Sequence, residues 1–367
     1  MTTLPTPPHP RATVTDRGTV LDTPTSDAGP YRPATPPKPF AGSPGPANQL
    51  NSNTPPPSAG AYDPATPPKP SAGSAGPVSR PNPGAPAPNA GSYNPATTTA
   101  GGLAGELARL EAQAELSFDE ELNLLRELGL SASGGPLVEI GAGSGAITRR
   151  LRRALPELAL VAVDIDPDLL AHAEGADAEL IVADAADLPL ETASAQYVLL
   201  RYVLQHLPDP GPALAEARRI LRPGGRILVT EVDASCWGLA DPVYPELAAI
   251  HAKMAATQQA AGGDRTIGRR LTRLLRDAGF TEVALRPFVT TNDTRPTDDF
   301  APHLGPGRLQ PLVTAGVLSL REFALAADRW NRFRADPNAW VMLLGFTAAG
   351  TAPDACQNGR HPTEGIQ

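Results

Sequence analysis

The chain has 367 residues, a formal charge of −8, 43 prolines, two cysteines and only 5% aromatic residues. A net acidic chain attracts neither nucleic acid nor an anionic membrane, and Cys236 and Cys356 lie too far apart for a metal cluster or disulfide framework, which suits a reducing compartment. The opening "MTTLPTPPHPRATV" lacks the basic start and apolar core of a signal peptide, and no apolar run reaches the roughly 18 residues of a membrane span, so a soluble cytoplasmic protein is expected.

Composition divides the chain, with 25 of the 43 prolines within the first 100 residues. So little apolar surface cannot offset the entropy of ordering, and residues 1–102 are expected to be a disordered tail. The tail repeats: "YRPATPPKPFAGSPGP" begins at Tyr31, "YDPATPPKPSAGSAGP" at Tyr62 and a decayed "YNPATTTAGG" at Tyr93, a period of 31 residues. Without an apolar stripe for neighbouring repeats to bury, this reads as a duplicated polyproline linker. Its "PATP" also matches the form that docking partners with aromatic grooves recognise. The tail holds six basic and four acidic residues, leaving 25 against 35, so the folded part carries about −10.

From about residue 103, "LAGELARLEAQAEL" and "FDEELNLLRELGL" each predict an amphipathic helix. Strands are then predicted at "PLVEI", "LALVAVDI", "AELIVAD", "AQYVLL" and "GRILVTEVD", separated by helices at "AITRRLRRAL", "DPDLLAHAE" and "GPALAEARRIL". This alternation predicts a doubly wound α/β sheet of parallel strands. A helix in "DPVYPELAAIHAKMAATQQ" interrupts it. Another helix, "RRLTRLLRDAGF", and the strands "TEVALRPFV" and "AWVMLLGFTAAG" close the domain at about residue 350, with 351–367 read as a flexible tail. Helical insertions at about 238–263 and 297–335 are expected to cap the strand ends, where such folds bind ligands.

The stretch "LVEIGAGSGAITRRL" places Gly141, Gly143 and Gly145 between a strand and a helix, a turn suited to a nucleotide-like cofactor. Read through Ala146 it also fits a dinucleotide fold with Asp164 on a ribose, which would make the protein an NAD-binding oxidoreductase. That reading gives no role to "VADAADLPL" or "LRPGG". With Glu139 and "VAVDIDP", these stretches form an ordered motif set. Residues 103–350 resemble the class I S-adenosylmethionine-dependent methyltransferases, a seven-stranded Rossmann-like family. "LLRYVLQHLPDPGPALAEARRILRPGGRILVTEVD" most resembles its small-molecule members of the ubiquinone/menaquinone-biosynthesis and natural-product type.

The resemblance implies S-adenosylmethionine as cofactor. Gly141, Ala142, Gly143 and Gly145 would pass beside its methionine part, and Glu139 would sit near its amino group. Asp164 would accept from the ribose hydroxyls, and Ile165 and Leu188 would pack on the adenine. Asp184 and the Ala185 N–H would read its edge. Arg201 would face the cofactor carboxylate or the acceptor. On the acceptor side stand His206 as the candidate proton acceptor and Tyr202, Glu231, Asp233 and Trp237 as candidate contacts, with His251 on the insertion. No metal cluster is read. The expected reaction is methyl transfer to a small molecule, at oxygen or nitrogen in preference to carbon. The alternative from another class is a peptide methyltransferase acting on its own tail or a related proline-rich segment.

Overall fold

The computed structural model describes residues 101–236 and 238–354. The expected repeat tail up to residue 100, Trp237, and residues 355–367 lie outside the described residues. The first element is a single helix, α1 (Gly102–Glu127), where the sequence pattern predicts two. Nothing at the junction breaks it, since Ser117 turns its hydroxyl onto Glu121 Oε1 at 2.5 Å, one turn further on.

Then follow β1 (Leu137–Ile140), α2 (Ala146–Ala154), β2 (Leu160–Asp164), α3 (Pro167–Leu170), β3 (Glu179–Val182), β4 (Ala195–Arg201), α4 (Gly211–Ile220) and β5 (Leu221–Val232). The five strands pair in parallel in the order β3-β2-β1-β4-β5. Strand order reverses between β1 and β4, and such a switch point opens a crevice at the carboxyl ends of the strands. The second half comprises β6 (Leu239–Asp241), α5 (Pro245–Ala260), α6 (Leu271–Asp277), β7 (Thr281–Thr291), α7 (Ala301–Leu304), α8 (Gln310–Thr314), α9 (Leu320–Ala335) and β8 (Trp340–Thr351).

Strand β8 runs antiparallel beside β5. Gly345 pairs with both Val232 and Phe288, and Met342 with both Leu239 and Thr291. Strand β6 therefore continues the line of β5 along one edge of β8, while β7 occupies the other. The seven expected sheet positions are filled by eight strands, and β6 is the one the sequence pattern does not reveal.

Both faces of the sheet are covered, as the apolar alternation of β4 requires. Tyr197 and Leu199 pack with Phe118 and Leu122 of α1 and Ile147 and Leu151 of α2, while Val198 and Leu200 pack with Leu214 of α4 and Leu271 of α6. The "LRPGG" stretch lies inside β5, where a Cβ on Gly225 would sit 2.9 Å from the Arg222 carbonyl. Helices lie in both insertions expected to form the cap, and Ile250, Leu309, Leu318 and Ala326 there form a small core of their own. Arg329 of α9 pairs with Glu246 of α5 at 3.1 Å. Among the described residues no helix is long and apolar enough to cross a membrane.

Candidate active site

The turn after β1 is built from three glycines in the left-handed region, at φ +74° for Gly141, +55° for Gly143 and +71° for Gly145. Their necessity comes first from the protein itself. A Cβ on Gly141 would meet Val203 Cγ2 at 2.3 Å and one on Gly145 would meet the Ala173 Cβ at 2.5 Å, whereas Gly143 has ordinary space, 3.7 Å to Leu110. The N–H groups of Gly141 and of buried Ala142 donate to Val163 O at 2.8 and 2.9 Å, which fixes the turn to the end of β2.

Asp164, at that end, accepts from Gly143 N through Oδ2 (2.7 Å) and from Asp166 N through Oδ1 (2.9 Å). A carboxylate oxygen has two acceptor positions, so each keeps one, the arrangement two neighbouring hydroxyls would use. The second aspartate of "DID" works differently, because Asp166 caps α3 by accepting from the N–H groups of Asp168 and Leu169. Ile165 between them is 45% exposed, an apolar surface beside the turn. Asp184 and Ala185 follow β3, half-buried, with Asp184 Oδ1 accepting from Ala186 N at 2.9 Å, and Leu188 behind them is buried.

Glu139 is buried under the turn and accepts from Thr148 Oγ1 at 2.6 Å. Burial pushes its carboxyl up to about 7, against that hydrogen bond and the positive field of Arg201. Arg201 is held by a residue that sequence reasoning missed: Glu121 of α1 takes its Nε and Nη2 at 2.7 Å each, with both side chains buried. The guanidinium also lies 4.3 Å from the Tyr202 ring centroid. Helix α1 thus lies across the glycine turn, an arrangement that Glu111 and Glu115 reinforce through Arg150 at 2.8 Å each. Tyr202, the first residue after β4, has φ +58°, a conformation costly for a large side chain and common at functional sites.

The acceptor-side residues separate into two groups. Asp233 is engaged elsewhere, in an ion pair with Arg269 and in hydrogen bonds from Ser235, and these outweigh its burial and hold its carboxyl below the usual range. Glu231, wholly buried, receives the Gln205 N–H on Oε1 at 3.3 Å, while Oε2 has no hydrogen-bond partner. Burial pushes its carboxyl up to about 8, although the Val203–Gln205 amides and Arg265 oppose this. His206 meets Gln258 Nε2 through Nδ1 at 3.3 Å, and burial, then Arg265, Arg109 and Arg308, push its imidazole down to about 3. His251 is lowered to about 4 for similar reasons, and His303, which sequence reasoning did not single out, is lowered well below the usual imidazole range. These imidazoles are neutral at pH 7.

The glycine turn, Asp164 and Ile165 thus lie together at the carboxyl ends of β1 and β2, with Asp184 after the neighbouring β3, while Glu231 lies at the end of β5 and Tyr202 and His206 follow β4. Comparison with known proteins bears on the domain that carries these residues. Residues 138–229 match the family described as "Methyltransferase domain". An uncharacterised 37.1 kDa protein in transposon TN4556 of Streptomyces fradiae is 34% identical over 60% of this chain and 64% of its own length. A malonyl-[acyl-carrier protein] O-methyltransferase of Hahella chejuensis is 34% identical over 34% of this chain and 48% of its own length. The ubiquinone/menaquinone biosynthesis C-methyltransferase UbiE of the same organism is 33% identical over 27% of this chain and 43% of its own length. The chain spans less than two thirds of each of these relatives. The motifs, the sheet order and the match over residues 138–229 agree in supporting a class I S-adenosylmethionine-dependent methyltransferase domain in this part of the chain, a fold whose cofactor is S-adenosylmethionine.

Proposed function

We propose that this protein transfers a methyl group from S-adenosylmethionine to a small-molecule acceptor, at oxygen or nitrogen in preference to carbon, within natural-product or quinone-type biosynthesis. The observation that carries the reading is Glu231: a carboxyl at the carboxyl end of β5, fully buried, with one oxygen unpartnered, which suits an acceptor that gives up a proton on methylation. An acceptor that must give up a proton needs such a group, and a pKa near neutrality suits a proton acceptor. The relatives' names include both an O- and a C-methyltransferase, so they do not choose the atom.

In this reading Glu139, Gly141, Ala142, Gly143, Gly145, Asp164, Ile165, Asp184 and Ala185 hold the cofactor. When bound, it supplies a methyl group already activated on a sulfonium. The chain's own work is therefore to orient the acceptor, exclude water and receive a proton, and orientation alone is worth several kcal/mol. Glu231 receives the proton on Oε2. His206, pushed down to about 3, is too weak a base for that step and serves as a neutral hydrogen-bonding wall with Gln258. Arg201, bonded to Glu121, joins α1 to the end of β4 and keeps its positive charge close to Glu139.

The test is to incubate the full chain with methyl-labelled S-adenosylmethionine and, separately, with the small-molecule and macromolecular fractions of a cell extract. Label in small molecules, lost in Asp164→Ala together with affinity for S-adenosylhomocysteine, is the expected result. Label confined to proteins, or to the chain itself, would replace this reading with peptide methylation.

A further inference from the structure

Among the described residues, buried guanidinium groups are matched by carboxylates, with one exception. Arg201 is matched by Glu121 at 2.7 Å, and Arg109 by Glu106 at 2.8 and 2.5 Å. Arg265 is 8% exposed, yet among the described residues it forms no ion pair, and the hydrogen bond from its side chain is the one from Nη1 to Gln258 Oε1 at 3.2 Å. Burying a guanidinium without a carboxylate is costly, so an interior site of this kind is explained by a charge that arrives with a ligand.

The surroundings point to the same place. Arg265 is fixed where three segments meet: its carbonyl accepts from Ala234 N just past β5 at 2.7 Å, and the preceding Asp264 N donates to Gln205 O, after β4, at 2.9 Å. Gln258 belongs to α5 of the cap. In the same junction two fully buried oxygens have no hydrogen-bond partner, Glu231 Oε2 and Gln205 Oε1. The guanidinium feels the charges of Glu231 and of Arg109, the latter on the wall of a 230 Å³ cleft between α1 (Gly105, Ala108) and the cap (Ala301, Pro302, Arg308). A buried cation without an ion pair among the described residues, and a buried carboxyl oxygen without a hydrogen-bond partner, lie within each other's field and offer a ligand one group for each of its two ends.

We infer that the acceptor is a small carboxylic acid bearing a hydroxyl or amine, its carboxylate docked on Arg265 and its O–H or N–H directed to Glu231 Oε2 and Gln205 Oε1. A planar guanidinium matches a carboxylate in charge and in its paired donors, and Arg265 is the buried arginine here that no carboxylate of the described residues already engages in an ion pair. The inference rests on the methyltransferase reading above, because it assigns the acceptor of that same site.

The experiment is calorimetric, on the full chain saturated with S-adenosylhomocysteine. It uses benzoate and lactate as probes, benzamide and lactamide as their neutral counterparts, and phenyl phosphate as the dianion. At least one acid should bind at least 10-fold more tightly than its amide and than phenyl phosphate. Arg265→Gln should lower the acid's affinity to that of the amide while leaving S-adenosylhomocysteine binding unchanged. Arg265→Lys, which keeps the charge without the fork, should fall between, and it serves if Arg265→Gln does not fold. Equal binding of acid and amide, tighter binding of phenyl phosphate, undiminished acid binding in the variants, or no binding of either acid would overturn the inference. Failure of S-adenosylhomocysteine to bind would instead overturn the methyltransferase reading, and is measured first in the same cell.

Discussion

Replacing Glu231 by glutamine tests the site through stability, without any knowledge of the acceptor. The side chain is wholly buried at the end of β5, and burial pushes its carboxyl up to about 8 from 4.5. A folded-state pKa above the unfolded one means that the native protein binds this proton more tightly. The associated stabilisation is fully present below the unfolded value and is lost as pH rises through about 8. Each pH unit in that window is worth about 1.4 kcal/mol, so between pH 5 and pH 8.5 the wild type loses up to about 4 kcal/mol that Glu231→Gln, a neutral isostere, retains. Glu139, raised to about 7, titrates in the same window but in both proteins, and cancels in the difference. Urea unfolding at pH 5, 6.5 and 8.5 should therefore show near-equal stability at pH 5 and a variant increasingly more stable than the wild type toward pH 8.5. Parallel pH courses for the two proteins would refute the reasoning, since they would mean that this carboxyl titrates as it does in water. If Glu231 also receives the acceptor's proton, the more stable variant should be slower by about 10²-fold or more once an acceptor is in hand.

Two further outcomes follow from packing. Glu121→Gln leaves Arg201 buried with its charge uncompensated and should destabilise the protein by roughly 3–5 kcal/mol in urea unfolding; a loss below about 1 kcal/mol would show that water reaches the pair. Gly141→Ala should cost about 1–3 kcal/mol more than Gly143→Ala, because both positions have positive φ but only the first would drive its Cβ into Val203; equal losses in thermal unfolding would contradict that.

The elements assigned to the cofactor in the proposed function are legible in the sequence because their causes are local. A short apolar run, three glycines and a helix-forming segment specify the turn after β1 within 15 residues, and "DIDP" contains both the site carboxylate and the cap of α3. Strand β6 is not legible. Its three residues "LAD" have no pattern of their own and are a strand only because β8 offers them its edge. The single helix α1 escapes for a related reason, since the apolar spacing shows two stretches and only the Ser117–Glu121 contact shows that the backbone has no need to part.

The acceptor side defeats local reasoning more thoroughly, because what a charged residue does depends on whether its charge is cancelled. Arg201 invites assignment to a ligand until Glu121 is found 80 residues away. Asp233, two residues after Glu231, looks equivalent to it in sequence, yet one is held by Arg269 and the other has an oxygen with no partner. Arg265 in "GGDRT" reads as a polar turn, and only the meeting of β5, the segment after β4 and α5 makes it an interior cation. Chemistry in the acceptor pocket is therefore found by subtraction. Once Arg201 is matched with Glu121, Arg109 with Glu106 and Asp233 with Arg269, the carboxyl of Glu231 and the guanidinium of Arg265 remain to be answered by a ligand. The pH dependence of stability and the choice of acceptor then become consequences of the same two buried groups.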